Sequence, residues 1–438
     1  MKQASEGAAA PRGAAGHAAE LRRDLGLLDA VGIGFGAVVG AGIFVVTGIA
    51  AGVAGPAILL ALLLASVAAT ANALSSAELA AAYPYAGGTY EYGYAVLNPW
   101  AGFAAGWMFL ASKIAAAGTV ALGLGGYIGI LLPGVSPRGV AVAAVLLFTV
   151  VNYFGVRKSS RLNLTIVAVS LSSLLLFIVA GAGAFRVENL RPFAPAGLAG
   201  TLEAGALLFF AYTGYARIAT LGEEVRDPRR TIPRAIVMTL VGSAFLYVAV
   251  AAVAIGAGGA QPLAVTNAPL AAAARSFSLP GAPALVAVGA VAAMLGVLLS
   301  QVLALSRMAF AMARRRDLPA FLAWVHPRYA APGRAVLVVG AVAALVAATG
   351  TLRQAAAAAS FTILVYYAVT NLAALRMPRE SKLFPDVAPA FGLIACLIMA
   401  FSLSRNVILA GCVLLAAGLV LRLARLRILA SRGSPPSV

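Results

Sequence analysis

The sequence predicts an all-α polytopic membrane protein of about twelve transmembrane helices, and three observations predict it. The 438 residues are 62% hydrophobic and only 11% charged, too apolar for a fold that must keep a polar exterior. Apolar runs of roughly 18 or more residues recur along the whole length, each long enough to cross a bilayer. The basic residues gather in alternate loops between those runs, as the positive-inside rule requires.

Length and breakers place the spans at 27–53, 56–80, 98–131, 138–156, 163–185, 201–221, 233–257, 282–312, 335–350, 354–375, 388–404 and 407–424. The third and eighth are long enough to tilt or protrude. Residues 1–24 are Ala/Gly-rich and lack an apolar core, so they read as a disordered cytoplasmic tail and not as a cleavable signal. Most of the 32 Lys and Arg residues fall at the termini and in the even-numbered loops. Only Arg138, Arg186, Arg191, Arg275, Arg353 and Arg405 fall in the opposite loops. Both termini are therefore expected in the cytoplasm, with the chain in the plasma (inner) membrane and 426–438 a basic cytoplasmic tail. The net charge of +18 is explained by these loops, and no nucleic-acid partner is implied. Cys396 and Cys412 lie in late apolar segments and suggest neither a disulfide framework nor a metal site.

The first span is interrupted. In LLDAVGIGFGAVVGAGIF, glycines stand at 32, 34, 36, 40 and 42, and each costs a helix about 1 kcal/mol relative to alanine. The sixth span carries a second interruption, FFAYTGYARI. Paired broken helices in corresponding halves point to a transporter's binding site. Five spans separate their starts, an odd number, so the second half begins on the other side of the membrane and the repeat is inverted. The predicted units are 25–195, 196–380, and a final pair of spans at 381–425. A break in mid-membrane must face a cavity or a polar ligand. The first span runs outward, so its second half presents backbone N–H groups, which suit a carboxylate. The sixth runs inward and its first half presents carbonyls, which suit an ammonium group. Together they match an α-amino acid. A simpler reading makes the glycines a small-residue packing seam.

These segments resemble the amino acid–polyamine–organocation transporter superfamily, in particular its bacterial branch similar to the cationic amino acid transporters. GAVVGAGIF looks like its first-helix motif and FFAYTGYARIATLGEEVRDPRRTIP like its sixth helix and following loop. ELAAAYPYAGGTYEYGY resembles the family segment between the second and third spans. The resemblance covers roughly residues 25–425. It implies two inverted five-helix repeats plus two further helices, the LeuT-type fold, working by alternating access. It also implies substrate-binding positions at Gly36, Val39, Gly40, Ala41, Gly42 and Ile43 in the first span, and at Phe210, Ala211, Tyr212, Thr213 and Gly214 in the sixth. Glu223 and Glu224 resemble its cytoplasmic gate.

Departures from the family pattern bear on coupling. Proton-coupled relatives place a lysine in the fifth span where this chain has Ser170. Lys113 instead lies inside the third span, and an intramembrane lysine is a functional candidate by default. It is the candidate proton-responsive group; the competing reading pairs it with Glu78 or Glu91. Arg217, a turn below the sixth-span break, is read as paired with Glu78, either at an inner gate or as a structural ion pair. Few hydroxyls in the eighth span leave sodium as the alternative coupling ion. The central parts of the first, third, sixth, eighth and tenth spans hold no carboxylate, which favours a neutral, apolar amino acid over a cationic one or a polyamine. The expectation is a secondary transporter working by proton-coupled symport or exchange, with no cofactor, metal or obligatory protein partner. An enzyme is disfavoured because the spans hold no paired catalytic groups. A channel or receptor is the remaining alternative class.

Overall fold

A computed structural model describes residues 25–83, 87–155, 160–219 and 225–431. Its long helical segments fall on the predicted spans. The first comprises Leu27–Val38 and Thr47–Ala54 with Gly42–Val46 between them. The second to fifth are Ile58–Ala82, Pro99–Leu131, Pro137–Tyr153 and Ser160–Gly181. The sixth comprises Gly197–Phe209, Phe210–Tyr215 and Ala216–Ala219. The seventh to tenth are Pro228–Gly258, Ala282–Arg314, Gly333–Thr349 and Leu352–Arg376, and the last two are Val387–Ser402 and Arg405–Ser431. The last helix thus takes in residues 426–431, expected as tail, because RLARLRILAS is made of good helix formers. The tail expected over 1–24 lies outside the described residues.

Local chemistry sets the boundaries. Gly55, at φ 61°, and Pro56 turn the chain between the first two spans. Asn98 caps the third span by accepting from Trp100 N and Ala101 N, with Pro99 at the first helical position. Ser136 caps the fourth in the same manner. Thr351 and Gln354 form a reciprocal capping box at the start of the tenth.

Packing partners come in exchanged pairs. The second span packs on the sixth and the seventh on the first; the third packs on the tenth and the eighth on the fifth. The third also meets the ninth, and the eighth meets the fourth. Small residues allow the close contacts: a carbon added to Gly289 would lie 2.1 Å from Ser173 Cβ, and one on Gly340 2.2 Å from Thr149 Oγ1. Large apolar side chains such as Leu63, Phe245, Leu409 and Val413 face outward, the surface a bilayer would cover. Cys396 is buried and Cys412 is exposed.

At the end of the bundle that holds the basic loops, a buried ionic cluster joins three parts of the chain. Arg422 of the last span meets Asp317 at 2.9 Å, each side chain 7% exposed. Tyr90 and Tyr94 donate to Asp317 Oδ2 at 2.7 and 2.6 Å. Arg315 pairs with Glu91 beside them and lies over the Tyr94 ring. Removing one partner of a buried pair costs about 3–5 kcal/mol. Arg422→Ala should therefore lower the Tm of the detergent-purified protein clearly more than Arg315→Ala, whose pair is more exposed. Equal Tm values for the two variants would contradict this ranking.

Candidate functional site

The first span loses its helix where the glycines predict. The inner helix ends at Val38; Val39 is extended (φ −71°, ψ 112°), and the chain re-enters a wide helical turn at Gly42–Val46. In the sixth span the α-helix gives way to a tighter helix over Phe210–Tyr215. Each departure from α geometry leaves backbone groups to be satisfied by something else.

The two interrupted segments touch. A carbon added to Gly42 would lie 2.4 Å from Ala211 Cα, and one on Gly214 would lie 2.1 Å from Ala37 O. At these two positions glycine is required by close backbone approach. Gly42 and Gly214 thus allow close packing, and the same contact brings the two breaks together. Tyr247 of the seventh span spans both: its hydroxyl donates to Val38 O at 2.9 Å and lies 3.4 Å from Ala211 O. Tyr127 of the third span donates to Phe44 O at 2.5 Å, and its oxygen accepts from Leu270 N at 3.3 Å. Neither tyrosine was among the predicted residues. Their one sequence signal is a lone hydroxyl within an otherwise apolar run.

A cavity of about 290 Å³ ends at this junction, the low end of the small-molecule range. Among the predicted residues its lining includes Gly36, Val39, Thr213 and Gly214, together with Lys113, Ser170 and Arg217. Gly40, Ala41, Gly42, Ile43, Phe210, Ala211 and Tyr212 are buried beyond its inner end and do not line it. There Tyr212 donates to Leu62 O at 3.2 Å, and Phe44 meets Tyr127 edge-on with ring centroids 6.1 Å apart. The cavity therefore reaches the lip of both breaks from the end that carries the basic loops, while the opposite end is packed shut. Sequence reasoning missed Asn163, Gln301 and Arg307 in the lining.

The expected ion pairs take other forms. Glu78, expected to hold Arg217 or Lys113, accepts instead from the backbone N–H groups of Leu383 and Phe384 at 2.5 and 3.1 Å. The reason is the return of the chain between the tenth and eleventh spans, which brings two backbone donors to that carboxylate. Arg217 donates to Ser300 Oγ at 3.4 Å. Glu91 is engaged by Arg315. The Lys113 ammonium lies 5.5 Å from the Phe109 ring centroid, a cation–π distance. Ser170 donates to Ile166 O at 2.7 Å. Glu223 and Glu224 lie outside the described residues.

A bundle of apolar helices, two of them interrupted and abutting at one cavity, defines a polytopic membrane protein. Residues 29–426 match the amino acid permease family, and the chain belongs to that family of transporters. It is 47% identical to an uncharacterized transporter of Mycobacterium tuberculosis over 91% of this chain and 90% of that protein. It is 29% identical to a branched-chain amino acid permease of Bacillus subtilis over 92% of both chains. It is 31% identical to a methylthioribose transporter of the same organism over 85% of this chain and 84% of that one.

The glycine contacts separate packing from helix propensity. Gly42→Ala forces the two breaks apart and should cost about 1–3 kcal/mol, as overpacking does. Gly32→Ala meets nothing within 4 Å and should gain up to about 1 kcal/mol of helix propensity. Tm values shifting in opposite directions are the expected result; a Gly42→Ala protein as stable as the parent would contradict the contact.

Proposed function

We propose that the protein is a secondary active transporter that moves an amino acid across the plasma membrane by alternating access. The observation that carries this reading is the junction of the two interrupted helices at the blind end of the cavity. Backbone N–H groups at Gly40–Ile43 would receive the α-carboxylate, and carbonyls at Phe210–Thr213 the α-ammonium. A substrate would approach past Gly36 and Gly214, the lip that the cavity now reaches. The packed end at Phe44 and Tyr127 would be the gate that opens in the opposite state. Such a cycle needs two halves that rock against each other. The exchanged packing partners support residues 25–195 and 196–380 as inverted repeats, with 381–425 as two added spans. The basic loops support cytoplasmic termini, which makes the present cavity inward-facing.

A substrate with a cationic side chain is disfavoured. Lys113, Arg217 and Arg307 line the cavity, and among the described residues no carboxylate does. Polyamines and cationic amino acids therefore lose support against the neutral amino acid expected from the sequence. Proton-coupled symport or exchange is the coupling we infer, with Lys113 as its titrating group; sodium held near Ser170 is the alternative. Glu223 and Glu224 keep their proposed place at the cytoplasmic gate.

Reconstituted into liposomes, the protein should show saturable, trans-stimulated exchange of a labelled amino acid. Flux that neither saturates nor responds to substrate on the far side would identify a channel and overturn the carrier reading. Uptake should follow an imposed proton gradient and not a sodium gradient, and Lys113→Ala should remove its pH dependence. An unchanged pH profile in that variant would take the coupling role from Lys113.

A further inference from the structure

Lys113 poses a charge problem that the protein itself leaves open. It sits near the midpoint of the helix Pro99–Leu131, about 21 Å along the axis from Pro99 at 1.5 Å per residue. That depth leaves no polar loop for the ammonium to reach. An ionised side chain in mid-membrane is costly unless something of opposite charge meets it. Among the described residues, the three carboxylates that pack into that end of the bundle are already engaged. Glu91 holds Arg315, Asp317 holds Arg422, and Glu78 holds two backbone N–H groups. Lys113 forms no hydrogen bond or ion pair among the described residues, and its neighbour is the face of Phe109. The ammonium instead belongs to the wall of the cavity, whose lining also includes Gln301 and Tyr366.

A second cation repeats the pattern. Arg307 also lines the cavity, is exposed, and makes no ion pair among the described residues. It lies on the same helix as Gln301, two turns nearer the basic loops. With Arg217 on the same wall, these cations along one cavity raise the local concentration of anions and repel cations. The breaks account for one carboxylate and one ammonium of a zwitterion, which carry no net charge. The cavity wall is left with a positive charge for which the main chain of an amino acid has no complement.

We propose that the ligand supplies it: the cavity selects an amino acid with an acidic side chain, and Lys113 is the counter-ion of that side-chain carboxylate. The proposal rests on the amino acid carrier reading and adds the substrate class. The third, eighth and tenth spans then form the side-chain subsite through Phe109, Lys113, Gln301 and Tyr366, while the first and sixth hold the main-chain groups. Arg307 stands at the entrance and steers the anion inward. The arrangement also explains why the fold tolerates an unpaired lysine, since the pair is completed only in the loaded state.

Ligand-dependent Tm shifts and liposome counterflow with L-glutamate, L-aspartate, L-glutamine, L-leucine and L-arginine test the proposal on the full chain. L-Glutamate or L-aspartate should stabilise the wild type and exchange. Lys113→Gln should weaken that binding by about tenfold or more, the scale of a lost desolvated charge pair, and should retain or gain L-glutamine. Lys113→Glu should reject both acids and admit L-arginine, and Lys113→Arg should keep the acidic preference. Wild type that exchanges L-leucine and ignores both acids overturns the acidic-substrate proposal and leaves the amino acid carrier standing. Unchanged L-glutamate affinity in Lys113→Gln also overturns it. No shift and no exchange with any of the five would sink the proposal and the carrier reading together.

Discussion

The architecture depends on one constraint: a backbone N–H or C=O freed in mid-membrane must find a partner, because lipid offers none. The first and sixth spans both free such groups near their centres. The fold answers by setting the two interruptions against each other and surrounding them with a few hydroxyls. Tyr247 serves Val38 O, Tyr127 serves Phe44 O, and Ser360 serves Leu207 O at 3.2 Å. Because those donors sit on the seventh, third and tenth spans, satisfying two short stretches of backbone ties together helices from both halves of the chain.

The same constraint explains the side-chain sizes. Backbone at Gly42 can reach Ala211, and Gly214 can reach Ala37, only because neither glycine carries a Cβ. Small residues recur wherever spans cross, and they allow van der Waals packing to hold helices together where no hydrophobic drive exists between them. Leu63, Phe245, Leu409 and Val413 face outward, while aromatic side chains such as Phe44, Phe209 and Tyr212 fill the interior.

Charges are sorted by depth. Near the basic loops the ionic groups are paired and stacked: Asp317 with Arg422 and two tyrosines, Glu91 with Arg315. These contacts fasten the last span and the segment before the third span to the end of the eighth. In the cavity the sorting stops, and Lys113 and Arg307 face its interior. The contrast lies within one molecule: a few turns away counter-ions are present, while among the described residues no carboxylate lines the cavity.

The apolar periodicity and the loop charges determined the number, order and limits of the spans, because in a bilayer span length and polarity are set by local composition alone. The two breaks were legible in the glycines at 36, 40, 42 and 214, though the same glycines read equally as a packing seam. Partnership was not legible. Glu78 read as the mate of Arg217 and is taken by backbone N–H groups more than three hundred residues along the chain. Tyr247 and Tyr127 carried no motif and hold the junction. The predicted site was also divided: Gly36 and Thr213 line the cavity while Gly42 and Tyr212 are packed beyond it. Which groups meet depends on helix rotation and crossing, set by contacts between distant segments. Sequence spacing states which face of one helix a residue shares, and only the packed bundle decides what that face meets.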